Sequence, residues 1–392
     1  MTTFEELYEK SKDVTIIQQQ FIELLKSGLW GTPANPKLFA GNVDWKSILR
    51  TASEQTMQVI VADGIETLPK ECWPPKEALM KLMMIRLKTE QMHQVLNSTL
   101  NQIVNALTAE NIPSALLKGQ GVAQNYLKPQ SRMCGDIDLY TGLNGYERAC
   151  HIIEHLNTEQ TQKPGEECDH HMHLQLNGVE IEVHRLAGTM PSTRLNESFQ
   201  EWTQKSIDSH FGTSILKTWC NNGTNINMAT PTFDAFFILY HAARHMTTEG
   251  VGFRQICDWV MYLHKNHASI DTEELGKKLK EYHLEAIWKE FGIMAVTILG
   301  LPKGELPLAP AEIKKTRKTS MLLKHIFISG NFGRYDVSGR DYTKTTYIKR
   351  KWRSFRFQSL RLFKLFNLFP RYSTNYAAAW FLGGINRIAK GN

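Results

Sequence analysis

The stretch Gly135-Asp-Ile-Asp-Leu-Tyr140 alternates between polar and apolar positions. Such alternation predicts a β-strand with one buried face, because successive side chains of a strand point to opposite sides. Asp136 and Asp138 then share the polar face. Two neighbouring carboxylates repel each other unless a cation lies between them, and Mg²⁺ favours oxygen ligands. The motif therefore indicates either a metal site or a solvated strand face.

A hairpin is predicted downstream, over residues 171–186. Two alternating runs flank Asn177-Gly178, a dipeptide preferred in type I′ hairpin turns. A two-residue loop pairs Leu174 with Ile181 and His173 with Glu182. One face is then apolar, and the polar face carries His171, His173, Gln175, Glu180, Glu182 and His184. Glu182 becomes a third carboxylate on a strand.

A phosphate-binding turn is predicted upstream of the paired aspartates. Ala115-Leu-Leu-Lys118 is a short strand candidate, and residues 119–127 are a short helix candidate. A strand-Gly-helix turn offers backbone N–H groups and the positive end of a helix to phosphates. Arg132 is a candidate for bidentate phosphate binding. Together with the three carboxylates, this is the layout of a two-metal nucleotidyl-transfer site.

These motifs resemble those of a bacterial family of uncharacterised nucleotidyltransferases within the polymerase-β-like superfamily. The family patterns LKG, R and DIDL correspond to Leu117-Lys-Gly119, Arg132 and Asp136-Ile-Asp-Leu139, and the pattern ELHW lies in the stretch Ile181-Glu-Val-His-Arg185, in which Glu182 and His184 match its Glu and His. The similarity extends over residues 15–290 and is looser in the helical parts. This sequence departs from the pattern at Gln120, where the superfamily has Ser, and at Arg185, where the family has an aromatic residue.

The resemblance implies roles for these residues. The catalytic and metal-ligating residues would be Asp136, Asp138 and Glu182, holding two Mg²⁺ (or Mn²⁺) ions. The nucleotide-binding residues would be Lys118, Gly119, Gln120, Arg132 and Gly135. The implied reaction moves a nucleoside monophosphate from an NTP to an acceptor that the sequence does not identify. The alternatives are a catalytically inactive binding protein on the same fold, which Gln120 keeps open, and a membrane-surface-associated protein of polysaccharide biosynthesis.

Two histidine groups lie outside this pattern. Cys168-Asp-His-His-Met-His173 is either a Zn²⁺ site or a polar strand face. His171, His173 and His184 are also candidates to contact the ligands of the proposed metal site without binding the metal themselves. His241 and His245 are four residues apart and share one face of a predicted helix. They either pack against a neighbouring helix or contact the nucleotide. An HD-type phosphohydrolase is disfavoured because no His-Asp dipeptide is present.

The periodicity predicts an α+β protein in which a small mixed β-sheet forms a nucleotidyltransferase core between two helical regions. Helical patterns cover residues 4–29, 44–65, 76–111, 146–156, 233–246, 253–267 and 275–299. We expect a helical N-terminal region at 1–110, the core at 111–228, a helical C-terminal region at 229–340 and a basic aromatic tail at 341–392.

Charge is concentrated in that tail. The net charge is +7, and residues 342–392 contain eleven Lys or Arg and no Asp or Glu, which leaves 7 − 11 = −4 for the rest. Basic residues alternate with aromatic ones around Phe355, Phe363 and Phe366. Three interpretations stay open: a helix packed on the body, an anionic membrane surface, or nucleic acid as partner.

Composition excludes several classes of protein. Of the 392 residues, 42% are hydrophobic and 22% charged, so the chain can offset its ordering entropy and is not predominantly disordered. With 26 Gly, 14 Pro and 6 Cys without a CxxC pair, collagen-like and disulfide-scaffold proteins are excluded, and we expect reduced thiols. No apolar run approaches the ~20 residues of a membrane span, and the first residues are polar and acidic. We expect a cytoplasmic protein, and the basic tail leaves a location at the membrane periphery open.

Overall fold

The computed structural model describes residues 15–156, 166–167, 170–333 and 347–389. In these ranges the protein is α+β, as predicted, with helices on both sides of one mixed sheet. The α-helices are α1 Ile16–Trp30, α2 Trp45–Glu54, α3 Gln58–Glu66, α4 Lys76–Ala109, α5 Gln120–Ala123, α6 Gly142–Leu156, α7 Thr193–Ser206, α8 Pro231–Thr248, α9 Phe253–Asn266, α10 Thr272–Glu281, α11 Glu285–Thr297, α12 Arg317–Ser329, α13 Tyr347–Leu368 and α14 Pro370–Ala389. The strands are β1 Ala115–Leu116, β2 Asp136–Tyr140, β3 Glu166–Glu167, β4 His171–Leu176, β5 Val179–His184, β6 Lys217–Asn221 and β7 Thr224–Met228.

The strands of the described ranges form one sheet in the order β3-β4-β5-β2-β1-β7-β6. Strand β2 lies near the middle, parallel to β5 and antiparallel to β1. Strands β1 and β7 are parallel, whereas β4–β5 and β6–β7 are antiparallel hairpins. The strand that carries the paired aspartates is therefore flanked by β5, which carries Glu182 and His184, and by β1, which ends just before Lys118 and Gly119.

The β4–β5 hairpin has the predicted register. His173 pairs with Glu182 and Leu174 with Ile181. Asn177 and Gly178 both have positive φ angles, of 53° and 73°, as a type I′ turn requires. The prediction is confirmed because the turn is encoded locally and a shift by one residue would move every apolar side chain to the wrong face.

One face of the sheet is buried against α4 and α6. The apolar side chains of β2 and β5 pack there with those of the two helices: Leu96, Leu100, Ile103, Leu107, Ile137, Leu139, Ala149, Ile153, Ile181 and Val183. Since side chains alternate along a strand, the carboxylates of β2 and β5 face the opposite side. That side is covered by the helices that follow β7.

The helical regions before and after the sheet share a second hydrophobic core. The rings of Phe21 in α1 and Phe253 in α9 meet edge to face, with centroids 5.4 Å apart. Phe327 in α12 packs on both rings, at 5.9 and 5.1 Å. Helices that are distant in sequence thus share one core. The division of the chain into four regions at residues 110, 228 and 340 stays a prediction.

Several elements differ from the sequence-based expectation. Residues 44–65 form two helices, α2 and α3, because Thr56 between them has a left-handed backbone with φ 56°. The helix expected over 119–127 is the single turn α5. The hairpin β6–β7 was not predicted, although Asn222-Gly223 at its turn has φ angles of 46° and 89°, the same signature as the first hairpin.

The described part of the tail forms α13 and α14, which pack on the body. Leu362, Leu365, Leu368, Phe369 and Tyr372 are buried. Gln358 donates a hydrogen bond of 2.7 Å from Nε2 to the carbonyl of Thr247 in α8. None of the described helices combines the length and the apolar character that a membrane span requires.

Candidate active site

Two parallel strands bring the predicted carboxylates together. Asp138 of β2 is in register with Glu182 of β5, and Asp136 with Glu180. In-register residues of parallel neighbours share a face, so all four acids lie on the side of the sheet opposite to the core that α4 and α6 cover. Asp138 is buried, and Asp136 and Glu182 are partly exposed. The fold thus brings together the three predicted site acids, Asp136, Asp138 and Glu182.

The ammonium group of Lys118 lies among these acids. Its Nζ is 2.8 Å from Oδ1 of Asp138. Burial disfavours the charged lysine, but attraction to Asp138, Glu182 and Asp136 outweighs it and raises the pKa of Lys118. Lys118 therefore supplies positive charge where three negative groups converge.

The two aspartates differ in their electrostatics. Burial opposes ionisation of Asp138, but Lys118 and the hydrogen bond from His184 hold its pKa well below the ordinary value. Burial and the charge of Asp138 raise the pKa of Asp136, against the opposing effect of Lys118 and Arg254. One carboxylate is thus firmly ionised, and its neighbour takes up a proton more readily.

His184 bridges two of the acids. Its Nε2 is 3.2 Å from Oδ1 of Asp138 and 3.3 Å from Oε2 of Glu182. Burial lowers the pKa of a histidine, but here the hydrogen bonds to Asp138 and Glu182 outweigh it and raise the pKa. His184 fixes the relative position of the two carboxylates.

His171 and His173 extend the polar face to β4. Their Nε2 atoms are 2.8 Å apart. His173 Nδ1 is 2.9 Å from Oε1 of Glu180, and His171 Nε2 is 4.0 Å from Oε2 of Glu182. Burial lowers the pKa of His171 to about 4. Cys168, which the sequence grouped with these histidines, lies outside the described residues.

The histidine pair of α8 reaches the site from the helical side. His241 Nε2 accepts a hydrogen bond of 3.2 Å from Lys118 Nζ. His245 Nε2 is 3.1 Å from His241 Nε2. Burial and the charge of Lys118 hold the pKa of His241 well below its ordinary value. The pair therefore contacts the carboxylates indirectly, through Lys118.

The predicted phosphate turn abuts the start of β2. Gly119 has φ 54°, and a Cβ there would lie 3.3 Å from the carbonyl oxygen of Asp136. Gln120 is fully buried, and Cys134 Sγ donates to its Oε1 at 3.8 Å. In the described part of the chain, a Cβ built at Gly135 has no heavy atom within 4 Å beyond the glycine and its two chain neighbours. Space for a ligand is therefore greater on the Gly135 side than on the Gln120 side.

Arg132 is placed differently from the phosphate-binding position that the sequence suggested. Its Nε and Nη2 each donate a 2.7 Å hydrogen bond to the carboxylate of Asp258 in α9. The guanidinium is buried, and Tyr126 Oη donates to the same carboxylate at 2.7 Å. Arg132 thus ties the segment before β2 to α9, and its planar fork is already engaged.

Arg254 lies near the acids, although it was not among the predicted nucleotide-binding residues. It lies at the start of α9, and its guanidinium lies 5.1 Å from the ring centroid of Phe332. Its Nη1 donates to the carbonyl of Met133 at 3.4 Å, and its charge lowers the pKa of Asp136. No spacing in the sequence marks this arginine, because it is more than a hundred residues from β2.

A comparison with protein families identifies the family of this chain. A family model described as an uncharacterised nucleotidyltransferase matches residues 41–300. The chain belongs to this family. The family assignment confirms the resemblance expected from the sequence and supports the general class of nucleotidyltransferases. The mixed sheet with its flanking helices confirms the expected fold class.

A search of the curated proteins finds no match. Among solved structures, the chain is similar to an antigenic nucleotidyltransferase-like protein from Paracoccidioides brasiliensis. The identity is 16%, with 48% of this chain and 86% of the other covered, and the TM-score is 0.29. A similarity this low carries no argument about the chemistry of this chain.

Proposed function

We propose that this protein transfers a nucleoside monophosphate from an NTP to an acceptor hydroxyl, with Mg²⁺ or Mn²⁺ as cofactor. The proposal rests on one observation: Asp138 and Glu182 lie in register on adjacent parallel strands, with Asp136 on the same face. Three acids, offset by Lys118 and by the charge of Arg254, leave an excess of negative charge, which a cation would balance.

The donor atoms fit a divalent cation. Ligand atoms of Asp138, Glu182 and His184 lie within 4.8 Å of one another, and Asp136 is two residues before Asp138 on the same face. We assign Asp136, Asp138 and Glu182 as the ligands. Divalent cations, when bound, stabilise the charges of the reacting phosphate and of the attacking and leaving oxygens.

The chain's own groups have separate tasks in this proposal. Asp138, held ionised by Lys118, keeps a fixed negative charge at the site. Glu182, oriented by His184, accepts the proton of the acceptor hydroxyl. Most of the rate enhancement would come from positioning and charge, as is usual for phosphoryl-group chemistry.

Lys118, Gly119, Gln120 and Gly135 are our proposed nucleotide-binding residues. Because Arg132 is paired with Asp258, we assign the cationic contact to the phosphates to Arg254, whose charge already acts on Asp136. The superfamily that the sequence resembles has a serine, with its small hydroxyl, at the position of the buried Gln120. The alternative is therefore a protein of the same fold that binds a nucleotide but does not transfer it.

Calorimetric titration of the four NTPs, with and without Mg²⁺, tests the proposal without knowledge of the acceptor. We expect one NTP to bind in a Mg²⁺-dependent manner to the wild type and not to Asp136→Asn/Asp138→Asn. Binding without pyrophosphate release in the presence of acceptors would favour the inactive alternative. Absence of binding by every NTP would contradict both.

A second candidate role concerns α13 and α14, which we propose to contact an anionic membrane surface. Leu362, Leu365 and Leu368 of α13 face the body, whereas Leu360 (51% exposed), Phe363 (69%) and Phe366 (49%) face outward. Exposed aromatic side chains beside an excess of Lys and Arg suit an anionic lipid surface. The protein would then act at the periphery of the membrane, on its cytoplasmic side.

Vesicle flotation tests this second role. We expect the protein to float with vesicles that contain anionic lipid and not with zwitterionic ones, and Phe363→Ser/Phe366→Ser to abolish flotation. Leu308→Ser, at another exposed leucine (44% exposed), is the control. Equal flotation of the double variant would contradict the role. Salt-sensitive binding to RNA, without flotation, would favour nucleic acid instead.

A further inference from the structure

Two histidines and one glutamate converge on the part of the polar face nearest to β4. His171, His173 and Glu182 each offer one ligand atom, and these atoms lie within 4.8 Å of one another. His171 and His173 alternate on β4, and Glu182 pairs directly with His173 across the β4–β5 ladder. The backbone of the hairpin therefore holds the three side chains on one face, independently of the contacts among them.

The orientation of His173 is fixed by a carboxylate behind it. Its Nδ1 is 2.9 Å from Oε1 of Glu180, so the Nδ1 proton is donated to that acid. The Nε2 atom then presents its lone pair towards Nε2 of His171, 2.8 Å away. A carboxylate that binds the far nitrogen of a histidine is the usual support of a metal-ligating imidazole.

We propose that His171, His173 and Glu182 form a binding site for Zn²⁺ or a similar borderline divalent metal ion. Two imidazoles and one carboxylate are a donor set of zinc sites that keep a fourth position for water. In a tetrahedral site with Zn–N bonds of about 2.0–2.1 Å, the two nitrogens lie about 3.3 Å apart. His173, with a side chain 30% exposed, has room for the small outward shift that this needs.

This site differs in chemistry from the proposed magnesium site. Asp136 and Asp138 offer hard oxygen ligands, which suit Mg²⁺, whereas imidazole nitrogen favours zinc and its neighbours in the transition series. The proposal does not depend on nucleotidyl transfer. Glu182 belongs to both donor sets, however, so occupancy of one site changes the affinity of the other, and the effect is reciprocal.

Metal titration of the full-length protein tests the site. The protein is freed of metal with a chelator and titrated with Co²⁺, followed by its visible absorption, and then with Zn²⁺ in a calorimeter under excess Mg²⁺. We expect one equivalent of each ion to bind, and Zn²⁺ to displace Co²⁺. We expect His171→Ala/His173→Ala to abolish this binding.

Three further variants separate a metal site from a mere hydrogen-bonded histidine pair. His151→Ala/His155→Ala, which removes two histidines from the exposed face of α6, should bind as the wild type does. Glu180→Gln, at a carboxylate that supports His173 without ligating the metal, should weaken Zn²⁺ binding by about 10–100-fold. Asp138→Asn should keep Zn²⁺ binding while it loses Mg²⁺-dependent nucleotide binding, which distinguishes failure of this site from failure of the proposed function.

Equal Zn²⁺ affinity in the wild type and in His171→Ala/His173→Ala would overturn the proposal, as would no binding of either ion to the wild type. Circular dichroism checks that the double variant is folded. If it is not, His173→Asn replaces it, and unchanged Zn²⁺ affinity in this variant would also overturn the proposal.

Discussion

The two buried charge clusters beside β2 differ in how completely their charges are paired. In the first, Arg132 and Asp258 form a bidentate pair, and Tyr126 donates to the same carboxylate. In the second, Lys118 is the cation nearest to Asp138, and Asp136 and Glu182 lie close by. One cluster balances a cation with an anion, and the other has an excess of acids.

The difference separates a structural role from a chemical one. A buried ion pair with every hydrogen bond made has no capacity left for a ligand, and its loss exposes an uncompensated charge. A group of acids with too few cations favours any added positive charge. We therefore expect the first cluster to control stability and the second to control ligand binding, and the predictions below test this division.

The largest effect is expected from Asp138→Asn. Loss of this carboxylate should reduce pyrophosphate release from the bound NTP by about a thousandfold or more, because metal-assisted charge stabilisation contributes several kcal/mol. The melting temperature should fall less than in Asp258→Asn, because Lys118 keeps Asp136 and Glu182 as opposite charges. Glu180→Gln, on the same face and 48% exposed, is the matched control and should keep most of the activity. Near-normal turnover in Asp138→Asn would remove the carboxylate from the mechanism.

Asp258→Asn should produce the largest loss of stability. It leaves the buried Arg132 without its counter-ion, which typically costs about 3–5 kcal/mol. Urea unfolding measures the change, and Arg132→Met/Asp258→Leu should recover much of it because no charge is then left unpaired. An Asp258→Asn protein as stable as the wild type would show that this pair does not support the fold.

Lys118→Met should have a smaller effect, of about 1–2 kcal/mol on the free energy of unfolding, because three acids then repel without their lysine. Mg²⁺ should restore part of this loss by binding the folded state. The rise in melting temperature on addition of Mg²⁺ should therefore be larger in Lys118→Met than in the wild type. An equal rise in both proteins would argue against a cation position among the carboxylates.

The smallest effect at neutral pH concerns a third buried acid, Asp234 in α8. Burial raises its pKa to about 8, against the opposing charge of Lys217. The folded state therefore binds a proton that the unfolded state releases above about pH 4. The contribution of Asp234 to the free energy of unfolding consequently falls as pH rises from about 4 to 8. Its slope is at most about 1.4 kcal/mol per pH unit. Asp234→Asn should flatten the dependence of unfolding free energy on pH in this range, and an unchanged slope would refute the assignment.

Local signals in the sequence predicted the centre of the fold and most of the acids. The β4–β5 hairpin follows from alternation around Asn177-Gly178, and β2 from the alternation of its acids with Ile137 and Leu139. The hairpin β6–β7 has the same Asn-Gly signal but few apolar positions, so periodicity did not reveal it.

Contacts between distant parts of the chain could not be predicted. Arg132 was expected to bind phosphate because nothing in the sequence shows that Asp258, 126 residues later, meets it. Arg254 approaches β2 from α9, and the packing of that helix on the sheet decides its position. His241 was named from the sequence as a candidate to contact the nucleotide, and it lies beside Lys118. The break at Thr56 also lacks a local cause, because neither Gly nor Pro stands there.

The most direct test of this division is one measurement on two variants. Calorimetric titration with Mg²⁺ and the NTP that the wild type prefers is carried out on Asp138→Asn and on Asp258→Asn, both well below their melting temperatures. We predict that Asp138→Asn loses binding although it loses less stability than Asp258→Asn, whereas Asp258→Asn binds with near-normal affinity although it is the less stable of the two. Normal binding by Asp138→Asn, or loss of binding by folded Asp258→Asn, would contradict the assignment of chemistry to one cluster and of stability to the other.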